Sequence, residues 1–105
     1  LRLNHVDKIF GGEVVALKVY ADTTPVTAGV YTLAIEDVDN SNNLLSVATF
    51  DMTGLAAATL TTLTLTGTAA DLLLALGTRV RFQLVSDNGD LVTTGVYVQI
   101  IYRSQ

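Results

Sequence analysis

The stretch Glu36–Asn43, EDVDNSNN, gathers three carboxylates and three asparagines into eight positions. Oxygen ligands at alternate positions are what a hard cation such as calcium requires, and Asp37, Asp39 and Ser41 have that spacing. The match to an EF-hand loop then fails. Its sixth position, which should be Gly, is Asn42, and its twelfth, which should be a bidentate Glu, is Ala48. The flanks read as strands rather than helices. Asp and Asn bond their own backbone in tight turns, so a connecting turn is expected, with a weak non-EF calcium loop at Asp37 and Asp39 as the alternative. SDNGD poses the same choice on a smaller scale. Asn88-Gly89 is a strong hairpin signal, and a type I′ turn needs nothing more from Asp87 and Asp90.

The remaining reactive side chains do not assemble into a site. His5 is the only histidine, and a general base needs a nucleophile and an orienting group converging on it. Ser41, Ser46, Ser86 and Ser104 lie in no nucleophile-elbow context such as G-x-S-x-G. The absence of cysteine removes thiolate chemistry and disulfides. A glycosidase carboxylate pair works in a cleft with sugar-stacking aromatics, whereas this chain has no Trp and 7% aromatic residues. Tyr20, Tyr31, Tyr97 and Tyr102 read as strand tyrosines. The expectation is a protein that is not an enzyme, with no catalytic, metal or cofactor residues.

Any such side chains must be carried by β structure. Period-two alternation sets Val15, Leu17 and Val19 against Ala16, Lys18 and Tyr20, and Tyr31, Leu33 and Ile35 against Thr32, Ala34 and Glu36. LLSVATFD is apolar on both faces. Further on, Leu63 and Leu65 oppose Thr62, Thr64 and Thr66, and Val80, Phe82 and Leu84 oppose Arg79, Arg81 and Gln83. Last, Val96, Val98, Ile100 and Tyr102 oppose Tyr97, Gln99 and Ile101. That predicts six strands, with TTPVTAG (23–29) separating the first two. One short helix is predicted over about 69–76, capped by Thr68 and stopped by Gly77, with Leu72, Leu73 and Leu76 as its apolar face. The fold class expected is all-β, an antiparallel β-sandwich with a small jelly roll as its variant. Residues 1–12 read as an N-terminal docking arm hinged at Gly11-Gly12, and 13–105 as the sandwich domain.

The composition points to assembly. Charged residues make up 15% of the chain, against roughly 25% in ordinary soluble domains. Hydrophobic residues reach 50% and the mean hydropathy is +0.46. A formal charge of −4 with six scattered basic residues argues against nucleic acid. The longest apolar run, Leu72 to Leu76, is far short of the roughly 20 residues of a spanning helix, and six strands are fewer than a bacterial outer-membrane barrel uses, so no membrane partner is expected. The chain starts at Leu1 without a signal-peptide pattern, which a trimmed precursor, a fragment or an edited start would each explain. Edge strands usually carry charge against unwanted pairing, yet the Thr-rich stretch 59–68 carries none. Subunit contacts are therefore expected at Thr62, Thr64 and Thr66, and at Leu1, Leu3, Val6, Ile9 and Phe10 of the arm.

Gly29-Val30-Tyr31-Thr32-Leu33, the polar turn, the short helix before GTRVRFQLVSDNGD and the closing GVYVQIIYR together resemble the small β-sandwich head decoration, or cement, proteins of tailed bacteriophages. The similarity spans most of residues 13–103. It implies a non-enzymatic virion protein on the capsid surface, forming homotrimers and clamping the major capsid protein. The alternative is a glycan- or receptor-binding β-domain of a phage tail fibre or surface adhesin, using the loops at Asp37, Asp39 and Asp87.

Overall fold

The computed structural model describes residues 2–8 (side chains of 4–6), 11–22, 30–86 and 95–103. Among the described residues nine strands run in chain order: β1 Arg2–Lys8, β2 Gly12–Ala21, β3 Tyr31–Asp37, β4 Asn42–Asn43, β5 Phe50–Asp51, β6 Thr61–Leu63, β7 Leu73–Leu74, β8 Arg79–Ser86 and β9 Val96–Arg103. They form two antiparallel sheets. The first has the order β1-β8-β3-β4, with β5 also on β3; in the second, β2 is central, with β9 on it and with β6 and β7 at successive positions along it. This is the all-β sandwich expected from the alternation.

The core lies where the two inner faces meet. Leu17 and Val19 of β2 face Tyr31, Leu33 and Ile35 of β3, all fully buried, with Met52, Leu63, Leu74 and Val80 completing the layer. Met52 and Leu74 lie outside the predicted alternation, and within it there is one exception. Val15 was expected inward, but β2 has a bulge there: Val14 pairs Tyr102 and Ala16 pairs Ile101, so one extra residue sits on β2. The bulge resets the phase of the strand, and Val14 is buried in place of Val15.

Three expectations are corrected. The first concerns residues 1–12, read as a hinged arm. Residues 2–8 are instead an edge strand, paired along its whole length with β8 from Arg2↔Val85 to Lys8↔Arg79. The cause is the backbone: pairing with β8 satisfies a row of N–H and C=O groups along the strand. The glycine pair is a corner rather than a free hinge: Gly11 has φ +92°, and a Cβ there would meet the Leu76 backbone nitrogen at 2.9 Å. The second is the helix over 69–76, which is one 3-10 turn, Ala69–Leu72, followed by β7. So short a helix does not repay its nucleation, whereas Leu73-Leu74 gain a ladder on Gly12-Glu13 and bury Leu74. Leu73 and Leu76, expected on the apolar face, are 50% and 77% exposed, and Thr68 makes no side-chain cap. The third is LLSVATFD, which is not a continuous strand. Leu44 and Leu45 are both buried because the chain turns there from one sheet toward the other, so consecutive side chains can both point inward.

That crossing laces one side of the sandwich. Leu45 bridges Leu65, the Ser46 N–H donates to the Thr64 carbonyl at 2.9 Å, and the Thr66 N–H donates to the Leu44 carbonyl at 2.9 Å. Backbone hydrogen bonds therefore join the β4 end of one sheet to the β6 end of the other. On the opposite side, β1 and β9 stand as the outer strands of their sheets, and no described strand bridges them.

Candidate functional site

The acidic stretch is a turn between β3 and β4. Asp37 is buried at the end of β3, where it accepts from the Asn40 backbone N–H at 3.2 Å and from Asn40 Nδ2 at 2.8 Å. Such an Asx contact is what makes Asp a turn residue. Asp39 is taken by Arg79, which donates its backbone N–H to Oδ2 at 2.7 Å and its Nε and Nη2 to Oδ1 at 2.9 and 2.7 Å. The two carboxylates thus serve different donors instead of converging. Among the described residues, no cluster of three or more His, Cys, Asp or Glu side chains is placed to hold a metal ion. Asp87 and Asp90 lie outside the described residues. In a second turn, Asp51 accepts from the Thr53 hydroxyl and from the Thr53 backbone N–H, and these bonds hold its carboxyl below the usual range.

The two outer faces differ in chemistry. On the first sheet, Arg81 Nη2 reaches Glu36 Oε1 at 2.8 Å and Gln83 Nε2 reaches Asn4 Oδ1 at 2.8 Å, so that face is a polar network. The second sheet offers Tyr20 and Tyr97, with ring centroids 6.0 Å apart, beside Gln99 and Ile101. Tyr97 is 60% exposed there, and the outer face of β9 has no charge until Arg103, which stands 4.0 Å from Glu13.

Between the outer strands the sandwich opens into a cleft of about 470 Å³. Leu33, Phe82 and Leu84 line it from the first sheet and Val96, Val98 and Ile100 from the second. At its mouth His5 lies over Phe82, centroids 6.1 Å apart and planes 30° from parallel, with Asn4 beside it. The sequence predicts Phe82, Leu84, Val96, Val98 and Ile100 as inward residues, and they are inward, but each is only partly buried. This is a hydrophobic surface that the monomer leaves incompletely covered.

The residues expected to touch other subunits divide. Thr62 and Thr64 are exposed, beside a 190 Å³ depression formed with Leu45, Val47 and Phe50, whereas Thr66 is half-buried and held in the laced side. Val6 is 49% exposed, opposite Arg81 on the polar outer face. Leu3 lies within β1, with its side chain outside the described set, and Leu1, Ile9 and Phe10 are outside the described residues.

Comparison with known proteins adds no assignment. No protein-family model, curated protein sequence or solved structure matches the chain. The cleft and its flanking strands therefore carry the functional argument. Sequence reasoning missed the site because alternation tells which face of a strand is inward but not whether the strand has a neighbour on both sides. A usable signal was present: Val96 to Tyr102 holds no charged residue, whereas β1 contains Arg2, Asp7 and Lys8.

Proposed function

We propose that this chain is a non-enzymatic assembly protein, and that the assembly is a viral shell on whose surface it acts as a decoration or cement protein. The observation that supports the reading best is the open side of the sandwich, where an apolar cleft is bordered by an outer strand that carries no charge from Val96 to Tyr102. A monomer would gain nothing from leaving that surface in water, while a protein that lives among neighbours covers it on docking. Cement proteins stabilise a shell by binding its assembled form, so each contact shifts the equilibrium toward the intact particle. The low charge content and the resemblance of the strand pattern to phage head decoration proteins support the same reading. In that setting its partners are copies of itself, as trimers in the resembling family, and the major capsid protein.

Purified particles of the parent virus should contain the chain in a fixed ratio to the major shell protein, read by quantitative mass spectrometry. Particles stripped of it should rupture at a lower temperature. Intact particles lacking the chain, or stripped ones equally robust, would overturn the reading. Removing residues 1–12 is not a clean test, because it takes away a paired strand and bares the edge of β8. The alternative of a glycan- or receptor-binding domain has less support, since Asp37 and Asp39 are engaged by Asn40 and Arg79.

A further inference from the structure

We infer that a second copy of this chain docks antiparallel on β9, joining two sandwiches through one continuous sheet about a two-fold axis at Gln99. The inference rests on the assembly reading, puts a two-fold contact in place of the three-fold one implied by the resembling family, and adds the surface and the register. The first step is the backbone. The Asp22 N–H donates to the Gly95 carbonyl at 3.1 Å, and Asp22 and Gly95 continue the β2–β9 register one step past Ala21↔Val96. Antiparallel strands alternate the direction of their backbone groups. Tyr97, Gln99 and Ile101 therefore bond toward β2, and Val96, Val98 and Ile100 turn their N–H and C=O groups to the outer edge. Such a row is a template for another strand, and from Val96 to Tyr102 β9 carries no charge that would repel one. Charged residues make β1 the poorer template.

The same alternation limits the register, because two edge-facing residues must oppose each other in a hydrogen-bonded pair. Val98 on Val98 and Ile100 on Ile100 also satisfy this, and side-chain complementarity favours the register in which Val98 meets Ile100 of the second copy and Gln99 meets Gln99. Gln99 is exposed, and an amide side chain can both donate to and accept from its own copy. On the outer face Tyr97 then opposes Ile101, an aromatic–aliphatic pair of the kind that stabilises sheets. At the strand ends Arg103 opposes Gly95. Gly95 has φ +65°, and the space a side chain would fill there is occupied by the Asp22 carboxylate. Each Arg103 is thus brought beside the Asp22 of the other copy, on the same face. The ends of the two strands are oppositely charged, and the two-fold uses that complementarity twice. The inward side chains of the added strand extend the lid over the apolar cleft of its partner.

The test uses the whole chain. Sedimentation equilibrium should give a dimer at roughly tens of micromolar, as suits an interface at the small end of the specific range. The chain has no cysteine, so Gln99→Cys introduces the only thiol. At the axis, in a non-hydrogen-bonded pair, the two Cβ atoms come close enough for a disulfide, and mild oxidation should give a covalent dimer. Thr62→Cys, exposed on the far strand, should not. Arg103→Glu should weaken the dimer about tenfold, and adding Asp22→Arg should restore it. A monomer throughout this range, a trimer, or a dimer that Gln99→Cys fails to cross-link would overturn the pairing. A monomer or trimer still found on intact shells would leave the assembly reading standing. A dimer of this register that is absent from the particles would sink the shell reading alone.

Discussion

The two long sides of this sandwich meet the same problem in opposite ways. On one, residues 44–46 cross from sheet to sheet and exchange backbone hydrogen bonds with 64–66, so Leu44, Leu45 and Leu63 are sealed. On the other, β1 and β9 end their sheets with no described strand bridging them, and Phe82, Leu84, Val98 and Ile100 are only half covered. The chain spends similar residue types on both. What separates them, among the described residues, is whether a segment returns to close the gap. Stability and availability for contact are thereby assigned to different sides of one small domain, with little need for the stable side to move when the other is occupied.

The largest expected effect that probes this contrast lies in the laced side. Leu44→Ala should destabilise the fold by about 2–5 kcal/mol in urea denaturation, as a fully buried leucine does. Val98→Ala, read in dilute protein, should cost about 1 kcal/mol, because its methyl groups are already partly wet. Equal costs would erase the distinction between the sides.

A smaller effect tests the middle of the core. Among the described residues the buried Tyr31 hydroxyl has no hydrogen-bond partner, and burial pushes its phenol above the ordinary 10.0. Tyr31→Phe should leave stability unchanged or raise it by about 1 kcal/mol. The sign with pH follows from the raised value. The unfolded phenol ionises first, so the stability it provides is full below pH 10 and falls as the pH climbs through the folded value. The advantage of the Phe variant over the parent should therefore widen above pH 10. The smallest effect is at the turn. Asp39→Asn should cost about 0.5–1 kcal/mol, less at high salt, because its Arg79 partner is half exposed.

The strand faces were legible in the sequence because burial of one face imposes a period of two, and Leu33, Val80 and Ile100 all obey it. Three local features were not. The Leu-rich DLLLALG has helical composition, yet tertiary pairing of Leu73-Leu74 with Gly12-Glu13 outweighs that preference. The crossing at Leu44-Leu45 reads as a two-faced strand because a sheet-to-sheet corner and a fully buried strand are both apolar throughout. The opening segment was legible as an apolar arm but not as a paired strand, since its partner β8 is some eighty residues away in the chain. The candidate site depends on those long-range pairings. Arg103, Asp22 and Gln99 have no distinguishing context until β2 and β9 are aligned.

The bulge in β2 has an evolutionary corollary. Remove Val15 and the residues on either side fall into plain alternation, with Val14 inward, Ala16 outward and Leu17 inward. Loss of a single codon elsewhere within the strand would turn one half of it inside out. Length variation among descendants of this sheet should therefore collect at Val15, and a chain lacking that residue should keep the same interior with a straighter second strand.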